Sequence, residues 1–389
     1  MIKLGWCQIV KNESHVIERC LDSLKPIIDY ICVVDTGSTD NTIELIKNWG
    51  KTNNVETDVY ERPFDNFEAS RNFAMEMAEK RPDIDYFMWL DADEILHVDL
   101  QKFDKQKLDK ELYMMPTFIG RQAYTRNELW KNTKGLFRWY GVVHEFITPT
   151  KPNITSGVLE GLNVEVKMEG ASWKGDIHMK YYNHAAELEK YIITNQDPRW
   201  IFYVAQSWND AACVPNNPQE NHQRLKRALH YYKRRVEIPV GYHEERYYAQ
   251  YRAALIQLML GHPFSTVHQE LLKAYHIDPL RGESIKTIID YYGQRGEYPL
   301  AYIYSKFGVN TFHGKNPFPN RLLFIDKVLY DFVFLETHIL TCFQLGYKEE
   351  TLYYHNMLNE LIKTKPDLFT DVDLNRINNV AVNIKQRWA

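Results

Sequence analysis

The sequence predicts an α/β doubly wound sheet over residues 1–180, followed by an all-α helical-repeat domain over 181–389. Three observations carry that prediction. Strand-like and helix-like segments alternate through the first hundred residues, two of the strands run directly into acids, and after Tyr181 the apolar pattern takes helical spacing. Alternating strands and helices build parallel sheets covered on both faces, whose ligands sit beyond the carboxyl ends of the strands. A chain of 389 residues also exceeds one ordinary core, so two domains are expected.

"KLGWCQIV" is a first strand, "HVIERCLDSLKPI" has the apolar spacing of a helix, and "DYICVVD" is a buried strand ending in Asp35. "TDNTIELIKNWG" is a helix with Thr39 or Asp40 as its cap. "NVETDVYERP" gives a third strand, "NFEASRNFAMEMAEKR" an amphipathic helix, and "DYFMWL" a fourth strand that meets Asp91, Asp93 and Glu94 at its end. From about Leu108 to Lys180 the pattern loosens into short segments, "KELYMMPTF", "GLFRWYGVVHEFITP" and "NVEVKMEG", which extend the same domain and complete its site. "DIH" at 176–178 reads as a last strand returning to that site.

The later helices come in pairs. Gly261 and Gly296 close successive first helices, a spacing close to the roughly 34-residue period of tetratricopeptide repeats. A plain helical bundle is the other reading of the same pattern. A further pair follows an insertion around "FHGKNPFPNR".

Composition removes several function classes. Lys and Arg number 47 against 51 Asp and Glu, a formal charge of −4, which excludes the basic face that bulk nucleic-acid binding needs. The five cysteines are scattered without CxxC spacing, and Cys7 and Cys32 fall inside apolar strands. A reducing compartment, the cytoplasm, is expected. The N-terminus lacks the apolar core of a signal peptide, and no segment reaches the length of a membrane span.

Asp91 and Asp93 are two apart in an extended segment, so both can face one ligand. Two carboxylates converging at a strand end suit a divalent ion that keeps positions open for phosphate oxygens. A solvated acidic turn is the competing reading. In "VVDTGSTDNT", Asp35 can accept hydrogen bonds from a base or ribose edge, and Gly37 lets the backbone approach a ligand.

"IVKNES", "VVDTGSTDNT", "ASRNFA" and "WLDADE" occur in that order and spacing, and together they resemble the family 2 glycosyltransferases with the GT-A fold. "RWYGVVHEF" followed by paired helices is similar to a soluble subgroup in which that domain carries a tetratricopeptide-like tail. The resemblance implies a metal-dependent, inverting transfer from a nucleoside-diphosphate sugar, by default a UDP-hexose or UDP-N-acetylhexosamine, to a hydroxyl of a glycan or protein. It gives Asp35 and Arg71 to the nucleotide. It gives Asp93 to direct ligation of Mn²⁺ or Mg²⁺, with Asp91 acting on ribose or through water.

An inverting transfer needs a base for the acceptor hydroxyl. Glu145 is the first candidate because it follows an aromatic, glycine-bearing run; Glu94, beside the acids, is the second. Family members often add a late histidine to the metal shell, and His144 and His178 both qualify, His178 the better through "DIH". Trp139 and Trp173 can stack on a sugar face or simply fill the core. A nucleotidyltransferase is disfavoured because "VKNESH" lacks a glycine-rich loop. An interaction scaffold with an inactive nucleotide-binding domain is the alternative from another class, and the helices are expected to present the acceptor or to form a homodimer.

Overall fold

Three parallel strands, β1 (Leu4–Val10), β2 (Tyr30–Asp35) and β3 (Glu56–Glu61), are separated by α1 (Ile17–Leu24) and α2 (Thr42–Asn53). After α3 (Phe67–Ala78), β4 (Tyr86–Met88) returns to the free side of β1 and also runs parallel to it. The strand order is thus 3-2-1-4, with the reversal in direction of winding beside β1. The computed structural model describes residues 1–214 and 217–388 and divides into two compact units, Met1–Asn221 and the helices from His222 onward.

Every residue of β2 is buried, because helices cover both faces of the sheet. Side chains alternate between the faces. Ile31 and Val33 pack with Trp6, Ile17, Leu21 and Ile46 beneath α1 and α2, while Cys32 and Val34 pack with Cys7, Ala74 and Met75 beneath α3. Each such side chain contributes about 1.5–3 kcal/mol by leaving water. Cys7 and Cys32 are opposite one another in register as free thiols, small hydrophobes as expected.

The loosely patterned region forms β5 (Glu94–Val98), β6 (Leu112–Ile119), β7 (Gln122–Lys131), β8 (Phe137–Tyr140), β9 (Phe146–Pro149), β10 (Ser156–Val158) and β11 (Leu162–Val166). β7 lies antiparallel to β4 and carries the sheet on through β6 and β11 to β5, while β8 and β9 make a separate hairpin. This is the GT-A arrangement that the motifs imply. "DIH" is not a strand. It starts α4 (Ile177–Tyr191), because Asp176 Oδ1 accepts from the His178 and Met179 amides at 2.9 and 3.0 Å and so caps a helix. Helix α5 (Pro198–Asp210) follows within the first unit.

The second unit is helical. After α6 (Pro218–Glu237) come the pairs α7 (His243–Met259) with α8 (Phe264–Ile277), α9 (Glu283–Gln294) with α10 (Tyr298–Phe312), and α11 (Phe334–Leu345) with α12 (Lys348–Thr364), then α13 (Asp371–Trp388). Gly261, Gly296 and Gly346 stand at φ +77°, +74° and +78° where the first helix of each pair ends, a left-handed conformation that favours glycine. Among the described residues no helix is long and apolar enough to cross a membrane.

Candidate active site

The first two motifs are clasped together at the ends of β1 and β2. Asn12 Oδ1 accepts from the Thr39 amide at 2.7 Å, the Asn12 amide donates to Ser38 Oγ at 3.0 Å, and the Glu13 amide donates to Thr42 Oγ1 at 2.8 Å. Asp35 accepts from the Ser38 amide at 3.0 Å, which closes the turn around Gly37. Gly37 has φ +108° and open space where a Cβ would stand, so this turn presents bare backbone beside the acid.

The fourth strand delivers its acids in a turn that the protein braces heavily. Trp89 Nε1 donates to Asp91 Oδ1 at 2.8 Å, and Gln8 Nε2 reaches Leu90 O at 2.6 Å and Asp91 Oδ1 at 3.1 Å. The Asp91 amide donates to Glu94 Oε2 and the Glu94 amide to Asp91 O, both at 2.9 Å, a reciprocal closure. Burial pushes the Asp91 carboxyl up, but the Arg71 and Arg126 guanidiniums and its two hydrogen bonds outweigh this and hold it below the usual carboxylate range.

Glu94 is occupied. It is 1% exposed, and both oxygens accept from Arg126, at 2.8 and 2.9 Å, so burial raises its carboxyl to about 7 while Arg126 opposes the rise. Arg126 also pairs with buried Glu128. Glu94 therefore secures the turn through both oxygens.

Arg71 joins three motifs. Its guanidinium lies 4.1 Å from the Trp89 ring and 4.6 Å from the Trp139 ring, and Nη2 sits 2.8 Å from Glu145 Oε1 and 3.5 Å from Asp91 Oδ1. Its neighbour Asn72 grips the β8 backbone, donating to Trp139 O and accepting from Trp139 N, each at 3.0 Å. "ASRN" thus fixes the hairpin that carries Glu145. Trp139 is 4% exposed and fills this slot, so it has no face for a sugar.

Glu145 ends the loop between β8 and β9. Gly141 opens that loop at φ +111°, and a Cβ there would stand 2.6 Å from the Trp200 ring of α5. His144 turns away from the acids: its ring stacks on Tyr203 at 4.5 Å with Nε2 3.2 Å from Ser207 Oγ, and burial lowers it to about 3. His178, in the first turn of α4, has a buried Nδ1 without a hydrogen-bond partner. Among the described residues neither histidine completes, with Asp91 and Asp93, a trio of ligand atoms within 4.8 Å.

Residues without a role assigned from the sequence also converge here. Asp93 Oδ2 accepts from the Glu169 and Gly170 amides at 3.0 and 2.9 Å, and Glu13 accepts from the Ala171 amide at 3.1 Å, so two acids hold three successive amides. A Cβ on Gly170 would come 3.1 Å from Asp93 Oδ2. Burial raises Glu13 to about 7, the Ala171 amide opposes this, and Asp93 adds to it. Lys180, on α4, rests 4.2 Å from the Trp173 ring; burial lowers its ammonium, while Asp93, Asp91 and Glu145 hold it up. Asp91 Oδ2 and Asp93 Oδ1 take no hydrogen bond from the described residues. Two free carboxylate oxygens, one on an acid kept ionised, fit a hard divalent ion with open positions.

A family model described as glycosyl transferase family 2 matches residues 7–145. The SPbeta prophage-derived glycosyltransferase SunS of Bacillus subtilis is 25% identical over 267 residues, 65% of this chain and 57% of that protein. A TPR repeat-containing protein of Synechococcus elongatus is 30% identical over 138 residues, 36% of this chain and 32% of that protein. The chain therefore spans less than two thirds of the length of either relative. Among solved structures, residues 1–349 of S. aureus TarS align over 72% of this chain and 93% of that one, at 12% identity and a TM-score of 0.34, which carries no inference for this chain.

Proposed function

We propose that this chain, whose first unit carries a glycosyl transferase family 2 domain at residues 7–145, transfers a sugar from a nucleoside diphosphate to a hydroxyl of a glycan or protein. The observation that carries the reading is the Arg71 bridge, which sets Glu145 beside Asp91 and so pairs an acidic donor site with a base. Asp35 and the open backbone at Gly37 take the nucleoside. Asp93 Oδ1 and Asp91 Oδ2 would hold Mn²⁺ or Mg²⁺. When bound, that ion supplies positive charge to the diphosphate oxygens as the sugar leaves.

Glu145 accepts the proton of the acceptor hydroxyl while its oxygen bonds to the anomeric carbon. The bond from that carbon to the phosphate oxygen breaks, and its electron pair stays on the departing diphosphate. Lys180, already facing the three acids, supplies further positive charge to that diphosphate. Arg71 acts as the clamp on Glu145 and not as a nucleotide contact, since its planar group is enclosed by two indoles. UDP is the nucleotide we expect. We assign acceptor presentation to the helices from His222 onward, and removing them should leave donor hydrolysis while abolishing transfer to the native acceptor.

Titrating wild type, Asp93→Asn and Asp35→Ala with UDP and GDP, each with and without Mn²⁺, tests the donor half. One nucleotide should stabilise wild type more strongly with Mn²⁺, Asp93→Asn should lose the metal increment, and Asp35→Ala should lose the base preference. Equal responses in all three proteins would remove these acids from the donor site.

A further inference from the structure

The second unit holds a cluster that the transfer reaction does not use. His338 and Cys342 lie one turn apart on α11, and Glu350 stands in the first turn of α12. His338 and Cys342 are both fully buried. Nε2 of His338 is 3.1 Å from Glu350 Oε1 and 3.5 Å from Cys342 Sγ, and all three atoms lie within 4.8 Å of one another.

Both ring nitrogens of His338 have polar partners. Ser305 Oγ lies 2.8 Å from Nδ1 of His338 and 3.2 Å from the Tyr302 carbonyl. With Ser305 Oγ accepting from Nδ1–H, the tautomer a ligating imidazole needs, Nε2 presents a lone pair. That lone pair faces Glu350 Oε1, an acceptor against an acceptor, on an oxygen that Lys306 also contacts from the half-exposed side. A neighbouring cation removes the conflict. The thiol proton of Cys342 can serve Nε2 but does nothing for Glu350, whose charge is met instead by Lys306 and the Tyr302 hydroxyl.

We propose that His338, Cys342 and Glu350 bind one zinc-like divalent ion through Nε2, Sγ and Oε1, tying the start of α12 to α11. Tetrahedral zinc, with bonds of about 2.3 Å to sulfur, about 2.05 Å to nitrogen and about 2.0 Å to oxygen, spaces S from N by roughly 3.5 Å and N from O by roughly 3.3 Å. The observed separations are 3.5 and 3.1 Å. Ser305 on Nδ1 supplies the outer hydrogen bond that orients a ligating imidazole. Binding replaces the thiol proton, so one proton is released for each ion taken up; the fourth position is left to water. Thiolate and imidazole set this site apart from the oxygen-only pair Asp91 and Asp93 in the ion it selects.

The test is Co²⁺ titration of the chelator-treated full chain, read by visible d–d bands and the near-ultraviolet thiolate-to-cobalt band, with far-UV circular dichroism on every variant. In wild type and Cys213→Ser alike the thiolate band should saturate at one equivalent of cobalt and be lost to Zn²⁺. Cys342→Ser should lose the thiolate band, and Glu350→Gln, which keeps the thiol, should bind at least tenfold more weakly. Absence of a thiolate band at stoichiometric cobalt in wild type, or a band that survives in folded Cys342→Ser, would overturn the assignment and leave the cluster as a closed hydrogen-bond network in which Ser305 donates to the ring.

Discussion

Replacing Arg71 with methionine removes the guanidinium from between Trp89 and Trp139 and leaves Glu145 and Asp91 without their shared partner. The Arg71 and Glu145 side chains are only 12% and 9% exposed, whereas Asp91 is 37% exposed and keeps some solvent. Stranding one enclosed carboxylate costs about 3 kcal/mol, the low end for a broken buried pair. For a unit of this size that corresponds to a fall in Tm of about 6–12 °C. The deficit depends on pH with a definite sign. Arg71 leads the groups that hold Asp91 below its ordinary value, against burial. Stability from a depressed carboxyl is present above its unfolded pKa of about 3.9 and is lost as pH falls through the lower folded value. The part of the gap between wild type and Arg71→Met that comes from Asp91 should therefore be full at pH 7 and close progressively below about pH 4. Urea denaturation at stepped pH measures it, and Glu145→Gln in the methionine background should restore part of the loss. A deficit under about 1 kcal/mol that ignored pH would mean an exposed, screened pair and refute the clamp.

Gly141→Ala and Gly37→Ala make a matched pair at φ +111° and +108°: the first also drives a Cβ to 2.6 Å from Trp200, the second meets open space. Chemical denaturation should show a loss of about 1–2 kcal/mol for Gly37→Ala from backbone strain and about 2–4 kcal/mol for Gly141→Ala, where overpacking adds to it. His144, lowered to about 3 by burial, contributes stability that is full above its unfolded pKa and is lost as pH falls; between pH 7 and 5 the loss should be about 2 kcal/mol, and His144→Phe should abolish that slope. Gly170→Ala places a methyl 3.1 Å from Asp93 Oδ2, so titration should show Mn²⁺-dependent nucleotide binding weakened by about tenfold, roughly 1.4 kcal/mol, with little change in metal-free binding.

The alternating half of the sheet was legible because its strands and helices are periodic over short stretches. "YICVVD" and "DYFMWL" announce buried strands, and the acids at their ends mark where the sheet stops and the candidate site begins. β5 to β11 were not legible in detail, since their pairing joins segments far apart in the chain, such as Val166 with Glu94, and no local pattern encodes that register. "DIH" misled because an aspartate before an apolar residue looks the same at a strand end and at a helix cap; the long helical run after it was the available signal. Glu13 stands in "IVKNES" without an assigned role and Gly170 in no motif, and their meeting at Asp93 depends on chain separation that only the fold closes. Arg71 stood out in "ASRNFA", but its partners did not, because the indoles that enclose it, Trp89 and Trp139, are far apart in the chain.

The most direct test of the central claim is nucleotide release from a panel of nucleoside-diphosphate sugars with Mn²⁺, followed for wild type, Asp93→Asn and Glu145→Gln. The account expects one donor to be turned over by wild type, with loss in Asp93→Asn of both binding and turnover. Glu145→Gln should bind that donor normally yet transfer it at least about 100-fold more slowly. If folded wild type released nucleotide from none of the donors and bound none of them, or if Glu145→Gln kept full rate, the acids beyond the fourth strand would not be the transfer site proposed for them.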